Sequence, residues 1–263
     1  MLIIGEKINT SLKGIEEAVK TRNTVFIQNL ASKQVESGAD MIDVNVGTRI
    51  HTEVEDMRWI VKVVQQVVDV PLCIDSPNPE AIEAGLAEHR GKALVNSITA
   101  EKERIERILP LIKRFNSKIV ALTIDDRGVP EDAERRCEIA EKLVKTLTEN
   151  EIPLEDIYID PVVHSISTNS KSGVMVLESI KKIATSFKGI HIICGLSNIS
   201  FGLPKRGLLN RAFLLMAMAA GLDSVICDPQ DKGIISAIKA GEALLGRDEY
   251  CAKYLAFFRE GKL

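Results

Sequence analysis

The most informative side chains are carboxylates and carboxamides that follow short apolar runs. Asp75 ends the run LCID, Asn96 follows ALV, Asp160 ends IYID, and Asn198 lies within GLSNIS. The full set of such residues is Glu6, Asn9, Asp43, Asn45, Asp75, Asn96, Asp125, Asp160, Asn198 and Asp228. A carboxylate accepts two parallel N–H bonds from an amidine-like edge, and an asparagine amide both donates and accepts. These residue types predict a site for a ligand that has several N–H donors and fused-ring amide character.

Each of these residues also has a structural interpretation. An aspartate at a strand end is commonly a helix N-cap or a loop anchor, and Asp228, directly before Pro229, suits a turn. Clustered carboxylates also bind divalent metals. However, the four histidines show no HxH or HExxH spacing, so we expect no metal bound by this chain. The pattern alone does not name the ligand.

Eight short runs rich in Val, Ile and Leu carry the polar residues. They recur about every 32 residues and begin at Leu2, Met41, Leu72, Ala93, Lys118, Ile157, His191 and Ser224. Each is typical of a strand buried on both faces of a parallel sheet. Helical patterns lie between them, over residues 24–37, 53–68, 79–88, 101–115, 131–148, 173–187, 208–220 and 232–245. Eight such units predict an α/β fold of the (β/α)8 TIM barrel type, in which the C-terminal ends of the strands meet at one mouth.

An open, doubly wound α/β sheet is the structural competitor. That fold usually has a glycine-rich turn after its first strand, and the segment GEKIN here has no GxGxxG. No phosphate loop of the form GxxxxGKS or GxxxxGKT occurs either. Because no linker or composition break divides the chain, residues 1–263 are predicted to form a single domain.

The composition argues against several classes of function. Thirty-four Lys and Arg against 37 Asp and Glu give a net charge of −3, and aromatic residues are 4% of the chain. There is thus no basic excess for phosphates and little aromatic surface for base stacking. The five cysteines are scattered without a CxxC pair, which fits a reducing compartment. With no signal-peptide pattern and no apolar stretch of membrane-spanning length, we expect a cytoplasmic protein that contacts neither nucleic acid nor membrane.

Several motifs together carry a family resemblance. The segments MLIIGEKIN, DVNVG, LCIDS, LEDIYIDP and GLSNIS resemble those of the methyltetrahydrofolate:corrinoid protein methyltransferases. The folate domain of cobalamin-dependent methionine synthase is similar, and dihydropteroate synthase is a more distant likeness. The resemblance covers nearly the whole chain. It implies a pterin-binding barrel that moves a methyl group between N5 of tetrahydrofolate and the cobalt of a corrinoid held by another protein.

The resemblance also implies roles for four residues. Asp75, Asn96 and Asp160 stand where the family holds the pterin ring, and Asn198 matches an asparagine near N5. The substrate is then tetrahydrofolate or 5-methyltetrahydrofolate. A tertiary amine is a poor leaving group, so methyl transfer to cobalt requires protonation or strong hydrogen bonding at N5. Asn198 cannot donate a full proton, and we expect it to stabilise the developing N5–H state.

The resemblance extends to a basic loop and to the subunit arrangement. Arg206 matches an arginine near the family's site, although the segment FGLPKRG departs from the family pattern. Lys205 and Arg206 are candidates for contact with the folate tail or with the partner, and a solvated basic loop is an equal alternative. The family forms homodimers, and the apolar helix predicted over residues 208–220 is a candidate interface.

Three alternative functions are compatible with parts of the sequence. A dihydropteroate-synthase-like pterin transferase would bind a leaving pyrophosphate, and the lysine and arginine–histidine set expected for that is missing. A non-catalytic pterin-binding scaffold for a corrinoid protein is disfavoured by the complete set of four site residues. A metal-dependent, aldolase-like barrel lacks histidine ligands and a Schiff-base lysine. Because no DxHxxG motif occurs, we expect the corrinoid to arrive on a separate protein; the direction of transfer and the identity of that partner are left open by the sequence.

Overall fold

Eight parallel strands close into a barrel in the computed structural model, which describes residues 1–263. The strands are β1 (Leu2–Asn9), β2 (Met41–Asn45), β3 (Leu72–Asp75), β4 (Leu94–Ile98), β5 (Lys118–Leu122), β6 (Ile157–Asp160), β7 (His191–Gly195) and β8 (Ser224–Cys227). Each strand pairs with the next along the chain, and β8 closes the barrel against β1. The predicted (β/α)8 TIM barrel is confirmed.

Helices follow the strands and cover the outside of the barrel. They are α1 (Ile15–Lys20), α2 (Thr24–Glu36), α3 (Glu53–Val64), α4 (Pro79–Glu88), α5 (Lys102–Phe115), α6 (Ala133–Glu149), α7 (Ser172–Ser186), α8 (Arg206–Ala220), α9 (Lys232–Leu244) and α10 (Ala252–Arg259). Eight of them coincide with predicted helical patterns to within a few residues. The helices α1 and α10 lie outside those patterns, because six or eight residues are too few for a 3.6-residue period to stand out. None of the helices has the length and apolar character needed to cross a bilayer.

The interior of the barrel changes from apolar to polar toward the mouth. Its apolar layer consists of Ile4, Met41, Cys73, Leu94, Val120, Tyr158 and Ile193. Side chains alternate between the two faces of a strand, so the residue two positions further along each strand also points inward. Those next positions are Glu6, Asp43, Asp75, Asn96, Leu122, Asp160 and Gly195. The alternation that fills the core therefore also directs polar side chains into the mouth.

Candidate active site

Asp75 and Asn96 lie side by side at the mouth, because β3 and β4 pair with these two residues opposite each other. On the other side, Asn45 of β2 is opposite Asp75, and its Nδ2 donates a 2.7 Å hydrogen bond to Asp75 Oδ2. The Gly47 backbone N–H donates to Asn45 Oδ1 at 3.0 Å, which turns the NH2 group of the amide toward Asp75. One oxygen of Asp75 is thus held by the protein, and Oδ1 is left for a ligand.

Two carboxyl groups on this side of the mouth influence each other. Burial raises the pKa of Asp75 to about 6, although the Asn45 hydrogen bond and the charge of Arg104 oppose the shift. Asp43 lies one level lower, opposite Cys73, and its Oδ1 has no hydrogen-bond partner. Burial, followed by the charge of Asp75, raises the pKa of Asp43 well above its ordinary value. Both carboxyls therefore keep their protons to a higher pH than an exposed aspartate does, and ionisation of one makes ionisation of the other harder.

Arg104 of α5 donates hydrogen bonds to the loops that follow β3 and β4. Its Nε and Nη2 donate to the Ser97 carbonyl at 3.0 and 2.6 Å, and Nη2 also donates to the Ser76 carbonyl at 3.0 Å. Its Nη1 donates to the Pro77 carbonyl. Sequence reasoning missed this arginine, because its partners are backbone carbonyls 7 to 28 residues away and no local pattern marks them. Arg104 therefore sets the position of both loops beside Asp75.

Asp160 ends β6 and is 8% exposed. Its Oδ1 accepts a 2.7 Å hydrogen bond from the Val162 N–H, and Val162 has a φ of 63°, a left-handed conformation that is unusual for a β-branched residue. The buried guanidinium of Arg136 donates to the carbonyls of Pro161 at 2.8 Å and Val162 at 3.1 Å, which holds this turn. Burial raises the pKa of Asp160 to about 7, against the opposing effects of the Val162 N–H and the Arg136 charge. Asp160 therefore titrates near neutral pH.

Asn198 lies in the 3-10 turn Leu196–Ser200, directly after β7. Its side chain is exposed, and its amide makes no hydrogen bond within the protein. A Cβ atom at Gly195 would stand 3.1 Å from Asn198 Nδ2, so the absence of a side chain at Gly195 leaves space for the amide. The amide is therefore available to a ligand in the mouth.

The backbone of the Asn198 turn is held by the loop that follows β6. Ser165 Oγ donates to the Phe201 carbonyl at 2.6 Å, and the Ile166 N–H donates to the Ile199 carbonyl at 3.0 Å. The turn thus has a fixed backbone and a free side chain.

Arg206 is the first residue of α8, and its guanidinium donates hydrogen bonds to the turn that bears Asn198. Its Nη2 donates to the Ser197 carbonyl at 2.6 Å, and its Nε donates to Ser200 Oγ at 3.1 Å. Lys205 is exposed, and its side-chain ammonium makes no hydrogen bond within the protein. The structure thus gives Arg206 a positioning role that the sequence did not predict, and contact of either residue with a folate tail or partner stays a prediction.

Glu6 of β1 also reaches the Asn198 turn. Ser197 Oγ donates a 2.7 Å hydrogen bond to Glu6 Oε1. Burial raises the pKa of Glu6, and the nearby charge of Asp228 adds to the rise. Lys7 Nζ lies 2.9 Å from Asp228 Oδ2 in an ion pair. Sequence reasoning grouped Glu6 with the polar residues of the mouth but gave it no role.

The mouth as a whole combines two kinds of chemistry. The structure brings the four predicted residues Asp75, Asn96, Asp160 and Asn198 to one end of the barrel, as the convergence of strand ends requires. The carboxylate oxygens of Asp75 and Asp160 and the carboxamide of Asn96 suit a planar ring with several N–H donors. The Asn198 amide lies on the turn after β7, and the Glu6 carboxyl accepts a hydrogen bond from Ser197 of the same turn. No group of three or more His, Cys, Asp or Glu side chains is arranged to hold a metal ion.

Comparison with known proteins gives the family. A family model described as pterin binding enzyme matches residues 11–228. The chain is 38% identical, over its whole length and 98% of the relative, to the methylcorrinoid:tetrahydrofolate methyltransferase of Eubacterium limosum. It is 30% identical to the methionine synthase of Mycobacterium tuberculosis over 86% of this chain, which corresponds to only 20% of that longer protein.

Solved structures agree with the fold. The dihydropteroate synthase of Xanthomonas albilineans in complex with 7,8-dihydropteroate superposes with a TM-score of 0.71 at 18% identity, over 93% of both chains. The dihydropteroate synthase of Thermus thermophilus gives a TM-score of 0.69 at 19% identity, over 92% of this chain and 94% of the other. At this level of identity the likeness concerns the barrel alone. The match over residues 11–228 and the full-length relationship at 38% identity show that the chain belongs to the pterin-binding enzyme family, and the predicted resemblance is confirmed.

Proposed function

We propose that this protein transfers a methyl group between N5 of tetrahydrofolate and the cobalt of a corrinoid that a partner protein carries. The observation that carries the proposal is the convergence of Asp75, Asn96, Asp160 and Asn198 at one barrel mouth, in a chain 38% identical to a methylcorrinoid:tetrahydrofolate methyltransferase. The reaction needs a pterin site, a means of assisting N5, and an opening through which the corrinoid approaches. Residues 1–263 act as one pterin-binding unit in this proposal.

The pterin ring is recognised by three side chains. Its pyrimidine edge presents a 2-amino group and a ring N–H, which are hydrogen-bond donors, beside a carbonyl and a ring nitrogen, which are acceptors. Asp75 Oδ1 and Asp160 Oδ2 make no hydrogen bond within the protein and accept from the donors, while the Asn96 amide both donates and accepts. The two carboxyls bind most tightly when ionised, because only a carboxylate offers both oxygens as acceptors.

The reacting nitrogen lies on the Asn198 side of the mouth. In the forward direction, cobalt(I) attacks the methyl carbon, the C–N5 bond breaks, and its electron pair remains on N5 and takes up a proton. Asn198 contributes a hydrogen bond to N5 that strengthens as the N–H state forms. In the reverse direction N5 loses its proton as it gains the methyl group, so the same contact serves both directions.

The partner and the folate tail meet the rim of the mouth. Lys205 and the unpaired Nη1 of Arg206 offer positive charge at the rim, which suits the carboxylates of a folate tail or an acidic patch of the corrinoid protein. Arg206 does this while it holds the Asn198 turn, so both contacts act on the same loop.

The protein forms a homodimer in this proposal, and α8 supplies the interface. Its outer face exposes Leu208, Leu215 and Met216, whose exposed fractions are 68%, 37% and 56%. A stripe of large apolar side chains along one helix suits a second copy of the same stripe across a two-fold axis.

We place the reaction in the cytoplasm. All five cysteines are free, and three of them, Cys73, Cys194 and Cys227, are buried in the barrel. Free thiols are typical of a reducing compartment.

The test is a methyl-transfer assay followed by the spectrum of the cobalt centre. The protein is mixed with cob(I)alamin and 5-methyltetrahydrofolate, and in a second arm with methylcobalamin and tetrahydrofolate. We expect methylcobalamin to form in the first arm and 5-methyltetrahydrofolate in the second. Asp75→Asn, which keeps the shape of the side chain but loses the carboxylate, is the matched control and should lose folate binding.

Two outcomes would overturn the proposal. Tetrahydrofolate binding without transfer in either direction, also when a methylated corrinoid protein replaces free methylcobalamin, would leave a non-catalytic scaffold. Formation of dihydropteroate from a pterin pyrophosphate and 4-aminobenzoate would instead indicate the chemistry of the structurally similar synthases.

A further inference from the structure

Glu6 is a carboxyl group of the mouth that pterin recognition does not use. It lies on β1, and its Oε1 accepts a 2.7 Å hydrogen bond from Ser197 Oγ. Ser197 is adjacent in the chain to Asn198, within the turn Leu196–Ser200. We propose that Glu6 stores the proton that N5 gains when it releases its methyl group, and exchanges it with the substrate through the Ser197 hydroxyl. This inference rests on the proposed methyl transfer.

The contact between Glu6 and Ser197 can carry a proton in either direction. A serine hydroxyl donates to an ionised carboxylate, and it accepts from the same group once that group is protonated. The hydroxyl then offers its own hydrogen to the ligand side. Because Arg206 donates to the Ser197 carbonyl at 2.6 Å, the backbone that carries this hydroxyl is fixed. A hydroxyl that is hydrogen-bonded to an acid and carried by a held backbone next to Asn198 can serve as a proton relay.

The surroundings of Glu6 favour its neutral form. Burial is the largest influence and raises its pKa; the charge of Asp228 adds to it, and the Ser197 hydrogen bond opposes it. The charges of Lys7 and Arg206 also oppose the rise. The titratable and charged groups around Glu6 are Lys7 on β1, Asp43 on β2, Cys227 at the end of β8, Asp228 after it, and Arg206 on α8. The balance leaves Glu6 more readily protonated than an ordinary surface glutamate.

Other groups of the mouth are less suited to this role. Asp75 and Asp160 accept hydrogen bonds from the pterin, and Lys7 is paired with Asp228. Asp43 lies one level below the mouth, opposite Cys73. Glu6 is the carboxyl whose hydrogen bond leads to the turn that bears Asn198.

The proton reaches N5 as the bond between N5 and the methyl carbon breaks. Cobalt(I) supplies the electron pair that forms the cobalt–carbon bond, and the C–N5 pair stays on N5. The proton of the Glu6 carboxyl moves to Ser197 Oγ as the serine proton moves to N5, either directly or through one water. Glu6 is left as a carboxylate, which solvent reprotonates after product release. In the reverse direction, Glu6 begins ionised and receives the proton from N5–H.

The experiment compares Glu6→Gln with the wild-type protein in single-turnover methyl transfer at saturating folate, over a range of pH. Glutamine keeps an Oε1 that accepts from Ser197, so the structural contact survives while the proton is lost. We expect the forward transfer rate of the variant to fall about 100-fold, the lower end of the usual contribution of general acid catalysis. We expect its affinity for 5-methyltetrahydrofolate to change less than about threefold, because the lost group acts in the transition state.

The pH profile separates proton storage from a structural role. Forward transfer by the wild type should slow as pH rises through the pKa of Glu6, and reverse transfer should quicken; the variant should lack both dependences. Ser197→Ala breaks the relay without touching the carboxyl and should reproduce the forward loss, which provides a second test if Glu6→Gln folds poorly. Glu53→Gln is the matched comparison, because Glu53 likewise accepts a serine hydroxyl bond, from Ser76 at 2.6 Å. It lies beside Asp75 and should change folate affinity while keeping the pH profile of transfer.

The outcomes distinguish this inference from the proposed function. If the wild type transfers methyl groups and Glu6→Gln retains both its rate and its pH profile, the role of Glu6 is wrong and the function stands. If the wild type transfers nothing in either direction, the proposed function itself fails.

Discussion

Asn45 Nδ2 donates a 2.7 Å hydrogen bond to Asp75 Oδ2, and this contact ties the second strand of the barrel to the carboxyl of the third. A hydrogen bond to the charged form of an acid lowers its pKa, and here it opposes the effect of burial. Asn45 therefore lowers the pH above which Asp75 is ionised, and so widens the pH range in which the mouth accepts N–H donors from a pterin.

The first prediction concerns the removal of this contact. In Asn45→Ala, the Asp75 carboxylate loses a hydrogen bond to a charged group, worth about 1.5 kcal/mol, which moves its pKa from about 6 toward about 7. We expect tetrahydrofolate to bind more weakly below pH 7 and nearly normally at pH 8.5. Isothermal titration calorimetry across this range would measure the shift, and an unchanged pH dependence would show that Asn45 does not control Asp75.

The second prediction is that the buried negative charge of Asp160 lowers the free energy of unfolding. Its pKa is about 7 in the folded protein and about 4 in an unfolded chain. Between these values the folded state binds more protons than the unfolded state, so this residue makes stability fall as pH rises from about 4 to about 7. Asp160→Asn removes this loss of stability, because asparagine is not charged at any pH in the range, and it keeps an oxygen that accepts from the Val162 N–H.

We therefore expect Asp160→Asn to unfold at a higher denaturant concentration than the wild type at pH 8, with a gain of at most about 4 kcal/mol. At pH 4 the two proteins should be nearly equal in stability, because Asp160 is then largely protonated. Urea titrations at the two pH values measure this, and tetrahydrofolate affinity should be lost in the variant. A variant that is less stable than the wild type at pH 8 would contradict the buried-charge explanation.

The barrel and the inward-facing residues of its mouth could be predicted from the sequence. Short runs of Val, Ile and Leu mark strands buried on both faces, and their spacing fixes the number of units. The same alternation that packs Cys73, Leu94 and Tyr158 into the core directs Asp75 and Asn96 inward two residues later. The fold class and the position of the site thus depend on local, periodic signals.

The groups that fix the loops could not be predicted in this way. Arg104 and Arg136 bind backbone carbonyls, which every residue has, so nothing in the sequence identifies their partners. Glu6 and Ser197 are 191 residues apart, and only the closure of β8 against β1 brings the two ends of the barrel together. Contacts of this kind depend on the tertiary structure and leave no local pattern.

The third prediction concerns the outer face of α8. If Leu208, Leu215 and Met216 form a dimer interface, a double variant with Leu208→Lys and Met216→Lys should be monomeric, while the wild type is dimeric. The stability of the folded monomer should change little, because both side chains are exposed in it. Val25→Lys on α2, where Val25 is 67% exposed, is the matched control and should leave the dimer intact. Sedimentation velocity measures all three proteins, and a wild type that sediments as a monomer would refute the interface.

The fourth prediction concerns the Asn198 amide, which is free within the protein and lies over Gly195. If it stabilises the developing N5–H state, Asn198→Ala should lower single-turnover methyl transfer about 100-fold, as removal of a transition-state hydrogen bond does. Folate affinity should fall less than about threefold. Gly195→Ala is the companion variant: its Cβ would lie 3.1 Å from Asn198 Nδ2 and displace the amide without removing it, so an intermediate loss of rate is expected. Equal losses of binding and transfer in Asn198→Ala would mean that the amide holds the substrate and does not act on the reacting nitrogen.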